Sequence, residues 1–255
     1  MYAIFKREFL SYFRSPVGYV ALSIFSFLSG YIFYTQFAYG SVSISTEVIS
    51  LRSFFVIIVP IITMGLFAED KKRGTDILYY TTPTSLFSVV LGKALAAFAL
   101  YAVMFINVII HIIVTVSCGG VFNVGDFGAI IVFFFMAFMF IAIGLFASAI
   151  TDSQIVSAIV AFVFILVSQI ISVISGYVGT AAGSMASTLG LSNSKASSIG
   201  TAVTNTITWF DPFVKTQDFS LGIFSVSALF FLLSVGILFI YLTYRLLDKK
   251  RWSQA

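Results

Sequence analysis

The sequence predicts an all-α integral membrane protein with six transmembrane helices and an N-terminal amphipathic helix lying in the membrane interface. Three observations predict it. Of 255 residues, 60% are hydrophobic and only 9% charged, whereas a soluble domain carries roughly 25% charged residues, so the chain cannot cover itself with a polar surface in water. The charges are clustered, and the intervals between clusters reach the roughly 20 helical residues that cross a hydrocarbon core of about 30 Å. Those intervals are continuously apolar and do not alternate, which argues against a closed β-barrel.

Composition excludes other classes. Thirty Phe and twelve Tyr beside four Pro are incompatible with a disordered or low-complexity polymer. A single cysteine, Cys118, rules out a disulfide framework or a multi-thiolate site. A single histidine, His111, leaves no imidazole pair for zinc, and the chain is expected to carry no metal or cofactor of its own. The net charge of +4 and pI near 9.1 would suggest nucleic acid in a soluble chain. Here the charges sit at the ends of apolar runs, and the expected surface partner is the lipid bilayer, with no nucleic acid.

The elements follow in order. Residues 1–15 place Tyr2, Phe5, Phe9, Tyr12 and Phe13 on one arc of a helical wheel and Arg7, Glu8, Ser11, Arg14 and Ser15 on the other. This predicts an interfacial helix, with Ile4 and Leu10 breaking the pattern; the plainer alternative is a positive flank that only fixes topology. The first span is 16–37, opened by Ser15 as N-cap and Pro16 at the first helical position. The second, 49–68, contains Arg52, placed to snorkel from one end, and Pro60, placed to kink it. The third is 92–116, the fourth 127–150, the fifth 155–175 and the sixth 221–244. Between the fifth and sixth, residues 176–220 are rich in Gly, Ala, Ser and Thr and read as an extracellular loop, either an ordered cap or a mobile one.

With six spans, both termini share a side with the loops at 69–91 and 151–154. That side holds Lys6, Arg7, Arg14, Lys71, Lys72, Arg73, Lys93, Arg245, Lys249, Lys250 and Arg251; the other holds only Arg52, Lys195 and Lys215. The bias predicts cytoplasmic termini in a prokaryotic inner or plasma membrane. A cleaved signal peptide is the competing reading of the start, but its apolar region spans only about 7 to 15 residues, and Phe37, Ala38 and Tyr39 make a poor cleavage site.

The most informative stretch is Glu69, Asp70, Lys71, Lys72, Arg73, Gly74, Thr75 and Asp76, six of them charged, in a chain that otherwise avoids charge. Such a segment is suited to a soluble partner; the bland alternative is a solvated loop serving only topology. Gly74 and Thr75 can end one helical turn and start the next, residues 77–82 can form a short helix, Pro83 would stop it, and Thr84 or Ser85 can cap a helix from Leu86. That helix would run along the interface as far as Gly92 and Lys93.

This run, from Glu69 through Gly74, Thr75, Pro83, Gly92 and Lys93, resembles the first cytoplasmic loop of the ABC-2 family of ATP-binding-cassette permeases. The N-terminal Arg7, Glu8, Phe9, Tyr12, Phe13, Ser15 and Pro16 are similar to the approach helix of the gliding-motility-associated and multicopper-maturation-associated branch. Its basic ending resembles Leu246, Leu247, Asp248, Lys249, Lys250, Arg251 and Trp252. The sequence departs from the family at Tyr79 and Tyr80, where aliphatic residues are usual. The resemblance implies an exporter-like dimer of six-span subunits, homo- or heteromeric, each docked on an ATPase subunit that binds ATP and magnesium. Carried over by position, residues 69–76 become the ATPase-docking segment, and Thr151, Asp152, Ser153 and Gln154 a second cytoplasmic contact.

The chain has no nucleotide-binding motif of its own: Gly92 and Lys93 are followed by Ala94 and preceded five residues earlier by Phe87, which is not a P-loop. It is expected to be a permease subunit and not an enzyme. His111, with no acid between Ile77 and Gly125, reads as a neutral histidine bonded within the bundle, a proton relay being the alternative. Ser168, Gln169, Ser172 and Ser175 can line a polar passage or hydrogen-bond between helices. Other functional classes are a stand-alone channel or ion-coupled carrier, and a non-transporting membrane anchor of a surface machine.

Overall fold

A computed structural model describes residues 1–81 and 84–253, and among these every regular element is a helix. The expected stop at Pro83 lies outside the described residues. Helix α1 (Tyr2–Arg14) ends at Ser15, whose extended backbone lets Pro16 open α2 (Pro16–Ala38) where a missing N–H does no harm. The aromatic rings of α1 pack along it, Phe5 stacked on Phe9 at 5.9 Å and Phe9 edge to face with Phe13 at 5.3 Å. Two residues depart from the simple wheel. Tyr12 is buried and donates its hydroxyl to the Ile62 carbonyl at 2.8 Å, and Ile4 packs against Gly92, so α1 is docked on the bundle as well as amphipathic.

The second apolar stretch is broken. Helix α3 (Ile44–Ser53) and the run Phe55–Lys72 are inclined by 60°, and within that run lie α4 (Phe55–Thr63) and α5 (Ala68–Lys72). The sequence places the kink at Pro60; the break falls instead at Phe54, and Pro60 lies inside α4. Proline removes a donor and crowds the preceding turn, and the chain tightens upstream, where the Phe54 carbonyl accepts from both Ile57 and Ile58 N–H at 3.0 and 3.1 Å. The short α6 (Ile77–Thr81) precedes α7 (Leu86–Met104), capped by Ser85. Helix α8 (Ile106–Ser117) continues α7 past a break at Phe105 that the sequence does not announce.

Helix α9 (Val124–Ile150) is the centre of the bundle. Of its most apolar stretch 67% is buried, against 17% for α10 (Gln154–Thr188). Phe133 of α9 meets Phe55 at 5.2 Å and Tyr101 at 5.1 Å, and Phe140 meets Phe55 at 5.7 Å. In lipid, helices gain little from hydrophobic exclusion, so such ring packing and close backbone approach hold them together. Gly144 supplies that approach: an added methyl would overlap Thr63 of α4.

Residues 176–220, read as a loop, are mostly helical. Helix α10 continues to Thr188 and turns back as α11 (Asn193–Thr208). The small residues that suggested a loop are what lets the two helices touch: a methyl on Gly179 would collide with Thr204 Oγ1 and sit 2.7 Å from the Gly200 carbonyl. The hydroxyls are satisfied within their own helices, as Thr180 is on the Gly176 carbonyl and Thr201 on that of Ser197. At 1.5 Å per residue the 35-residue α10 is about 52 Å long, some 20 Å more than a hydrocarbon core needs. Asp211 then caps α12 (Pro212–Lys215) by accepting from Phe213 and Val214 N–H. A 3₁₀ turn (Gln217–Leu221) ends at Gly222, with φ of 80°, so α13 (Val226–Ser253) begins later than the expected 221. Among the described residues, five helices are long and apolar enough to cross a membrane, α7 and α8 counted as one, and six if the bent stretch from Ile44 counts as one span.

Candidate functional site

The charged segment is built onto the bundle by side chains that sequence alone leaves unassigned. Ser148 of α9 accepts from Phe67 and Ala68 N–H at 2.9 and 3.1 Å and donates to the Met64 carbonyl at 3.0 Å. This satisfies backbone groups that the start of α5 would leave orphaned. At its other end, Gly74 has φ of 68°, Gly74 N–H reaches the Lys71 carbonyl and Thr75 N–H that of Asp70. These two bonds form a Schellman closure, and α6 follows, as the Gly-Thr pair predicts.

Lys93 of α7 is fully buried. Its Nζ meets Asp70 Oδ2 at 2.6 Å, Glu8 Oε1 at 3.0 Å and the Leu66 carbonyl at 2.5 Å, with the rings of Phe67 and Tyr79 at 5.2 and 5.7 Å. Tyr79 also donates its hydroxyl to Asp70, and Arg7 bonds Glu8 at 2.6 Å. Burial pushes the Asp70 carboxyl up, but the charge and hydrogen bond of Lys93, with the Tyr79 hydroxyl and Arg7, leave it below the usual carboxylate range. One ammonium thus joins α1, α5, α6 and α7. The sequence marks Lys93 only as the opening of a span; that it turns inward follows from the two acids that reach it from distant helices. Tyr79 has its role here.

Lys71 makes the second joint. Its ammonium donates to the Ala149 carbonyl and to the Thr151 carbonyl at 3.0 Å, and pairs with Asp152 Oδ1 at 3.3 Å. Burial and the nearby Lys250 of α13 push it down to about 8 against the pull of Asp152. The two stretches singled out from sequence, 69–76 and 151–154, therefore meet at this residue. What remains outward is Lys72, Arg73, Gly74 and Thr75, with Glu69 bridging to Arg73 at 2.5 Å and Asp76 half-buried. Ile77 and Leu78 lie beside them, 56% and 55% exposed, an apolar pair at the face carrying the termini.

The polar residues of α10 are engaged with neighbours. Ser168 bonds the Phe164 carbonyl, Gln169 the Ser53 carbonyl at 2.8 Å, Ser172 the buried Asp211, and Ser175 the Ser172 carbonyl while accepting from Thr208. Arg52, expected to snorkel, is instead buried: its guanidinium donates to Thr216 Oγ1 at 3.0 Å and lies 3.9 Å from Met136 Sδ. The bend at Phe54 turns it into the bundle. His111 has an acid partner that sequence reasoning missed, Glu47 at 2.7 Å. Glu47 fell just outside the apolar run from 49, yet it shares one helical face with Ile44, Val48 and Leu51, and that face is buried.

No curated protein matches this chain. A family described as "ABC-2 family transporter protein" matches residues 2–252, nearly the whole length, and this agrees with the helical bundle and its apolar spans. The chain is a member of the ABC-2 family of transporter membrane proteins, a multi-pass permease component of an ABC transporter.

Proposed function

We propose that this chain is the permease subunit of an ATP-binding-cassette exporter, pairing with a second permease subunit and driven by separate ATPase subunits that bind ATP and magnesium. The reading places both termini, and the charged segment, in the cytoplasm of a prokaryotic cell. The observation that carries it is the division of labour within residues 69–76: Asp70 and Lys71 are committed to the bundle through Lys93 and Asp152, while Glu69, Lys72, Arg73 and Asp76, with Ile77 and Leu78, offer ions around an apolar pair. A surface of mixed charge about an apolar centre suits a protein partner. A push on it would pass through Lys93 to α1 and α7 and through Lys71 and Ser148 to the α9–α10 turn. Ser168, Gln169, Ser172 and Ser175 would line the route in the assembled dimer by exchanging their present bonds. The assignment to the gliding-motility and multicopper-maturation branch rests on the terminal motifs.

The test is co-purification with the ATPase encoded beside this gene, using Glu69, Lys72, Arg73 and Asp76 replaced together by Ser. Capture and stimulated ATP turnover should fall at least tenfold, and undiminished capture overturns the docking assignment. Transport by the chain alone in liposomes would favour a channel or ion-coupled carrier; ATPase binding with no transport of any cargo would favour an anchor.

A further inference from the structure

We propose that Glu47, His111 and Ser29 form a proton-binding site in the half of the bundle away from the termini, where His111 is held as an imidazolium by a buried carboxylate. The three residues come from α3, α8 and α2. Glu47 is 1% exposed and Ser29 fully buried, and the histidine side chain is 14% exposed. Glu47 Oε1 accepts from Ser29 Oγ at 2.7 Å and faces His111 Nδ1 at 2.7 Å, while Oε2 is buried with no hydrogen-bond partner.

A carboxylate in such surroundings requires a cation, and among the described residues the neighbouring elements leave one candidate, since Lys93 of α7, the helix packed on α2 and α8, is committed to Asp70 and Glu8. Helix α8 brings His111; α2 brings Ser29 and the ring of Phe33; α4 has no titratable side chain. Helix α9 adds a further acid, Asp126, which accepts from Ser45 N–H at 2.7 Å at the start of α3. The 3₁₀ turn carries Asp218, which is exposed. Arg52, farther along α3, is directed at Thr216. Phe33 stacks on the imidazole with centroids 4.2 Å apart and planes 7° from parallel, an aromatic face that stabilises a cationic ring.

The proton accounting gives the site its function. With one proton between Nδ1 and Oε1 the pair is neutral overall. Release of that proton from the histidine leaves an uncompensated carboxylate, held by the Ser29 hydroxyl alone. Uptake of a second proton places it on the vacant Oε2 and leaves a positive charge. Either change loosens α3 from α2 and α8. Because α3 is the outer arm of the broken stretch that runs on to the charged segment, proton occupancy at Glu47 biases the helix that leads to the opposite face. This inference is independent of ATPase docking.

His111 is the only histidine in the chain, so the site can be read directly. Full-length protein labelled with ¹⁵N-histidine, in lipid nanodiscs at neutral pH, should give one pair of ring signals, both from protonated nitrogens; Glu47→Gln should convert them to a neutral ring with one bare nitrogen. A neutral ring in the unmodified protein, or signals unchanged by Glu47→Gln, overturns the proposal. Should that variant fail to fold, titration of the unmodified protein decides, and a ring neutral at every pH at which the protein stays folded overturns it equally.

Discussion

Lys93 shows how one side chain can set the geometry of a surface it does not reach. Its ammonium pairs with Glu8 and Asp70, with Arg7 also on Glu8, and removing one partner of a buried ionic cluster leaves the others uncompensated, at about 3 kcal/mol. Lys93→Met should therefore lower the unfolding temperature in detergent markedly, and Lys93→Met with Asp70→Asn and Glu8→Gln should recover most of the loss. Lys71 makes a prediction about pH. Its folded value is depressed from 10.5 to about 8, so between those values the unfolded chain binds more protons and stability rises with pH. The penalty of holding Lys71 charged is fully present below about pH 8 and is relieved as pH climbs towards 10.5. Chemical denaturation across that window should show the rise, and Lys71→Met should flatten it. Asp70 works in the opposite sense: its depressed value stabilises the fold above the ordinary carboxylate range, and that contribution is lost as pH falls through the folded value.

At the scale of elements, the close contact between α4 and α9 makes a paired prediction. Gly144→Ala should cost about 1 to 3 kcal/mol through overpacking against Thr63, and adding Thr63→Ala should return most of it, measured as the non-additive part of a double-mutant cycle. This contact was not legible in the sequence, where Gly144 is one small residue in an apolar run. Legibility followed the physics behind each signal. Long apolar runs, Pro16 at the start of α2 and the caps at Ser85 and Gly74 could be read because the backbone needs specific residues there, whereas Ser15 holds the N-cap position of α2 without a side-chain bond. The break at Phe54 and the α10–α11 hairpin could not be read: Pro60 announces a bend without fixing the turn at which it falls, and a Gly, Ala and Ser stretch is a loop or a tight helix pair according to its partner.

At the scale of the whole molecule, the two faces can be told apart by reagents that do not cross lipid. Cys118 is exposed at the end of α8, at the opposite end of the α7–α8 run from the charged segment. The orientation predicted from basic residues requires Cys118 to react with an impermeant maleimide from outside intact cells. A cysteine placed at Lys72 in a Cys118→Ser background should react only after permeabilisation. The reverse pattern would invert the topology. The candidate site was partly legible at this scale: residues 69–76 and 151–154 stand out as charged interruptions, but the long-range joints at Lys93, Lys71 and Ser148 depend on separations of 23 to 85 residues that composition cannot resolve.

Ser148 gives the last of these its wider meaning. A single hydroxyl receives two backbone N–H groups of the incoming segment and donates to the turn before it, all from the helix at the middle of the bundle. Segment and central helix are thereby one lever with no slack between them. Under the proposed docking, a force applied at the membrane surface would reach the axis of the molecule through this hydroxyl before it reached the outer helices.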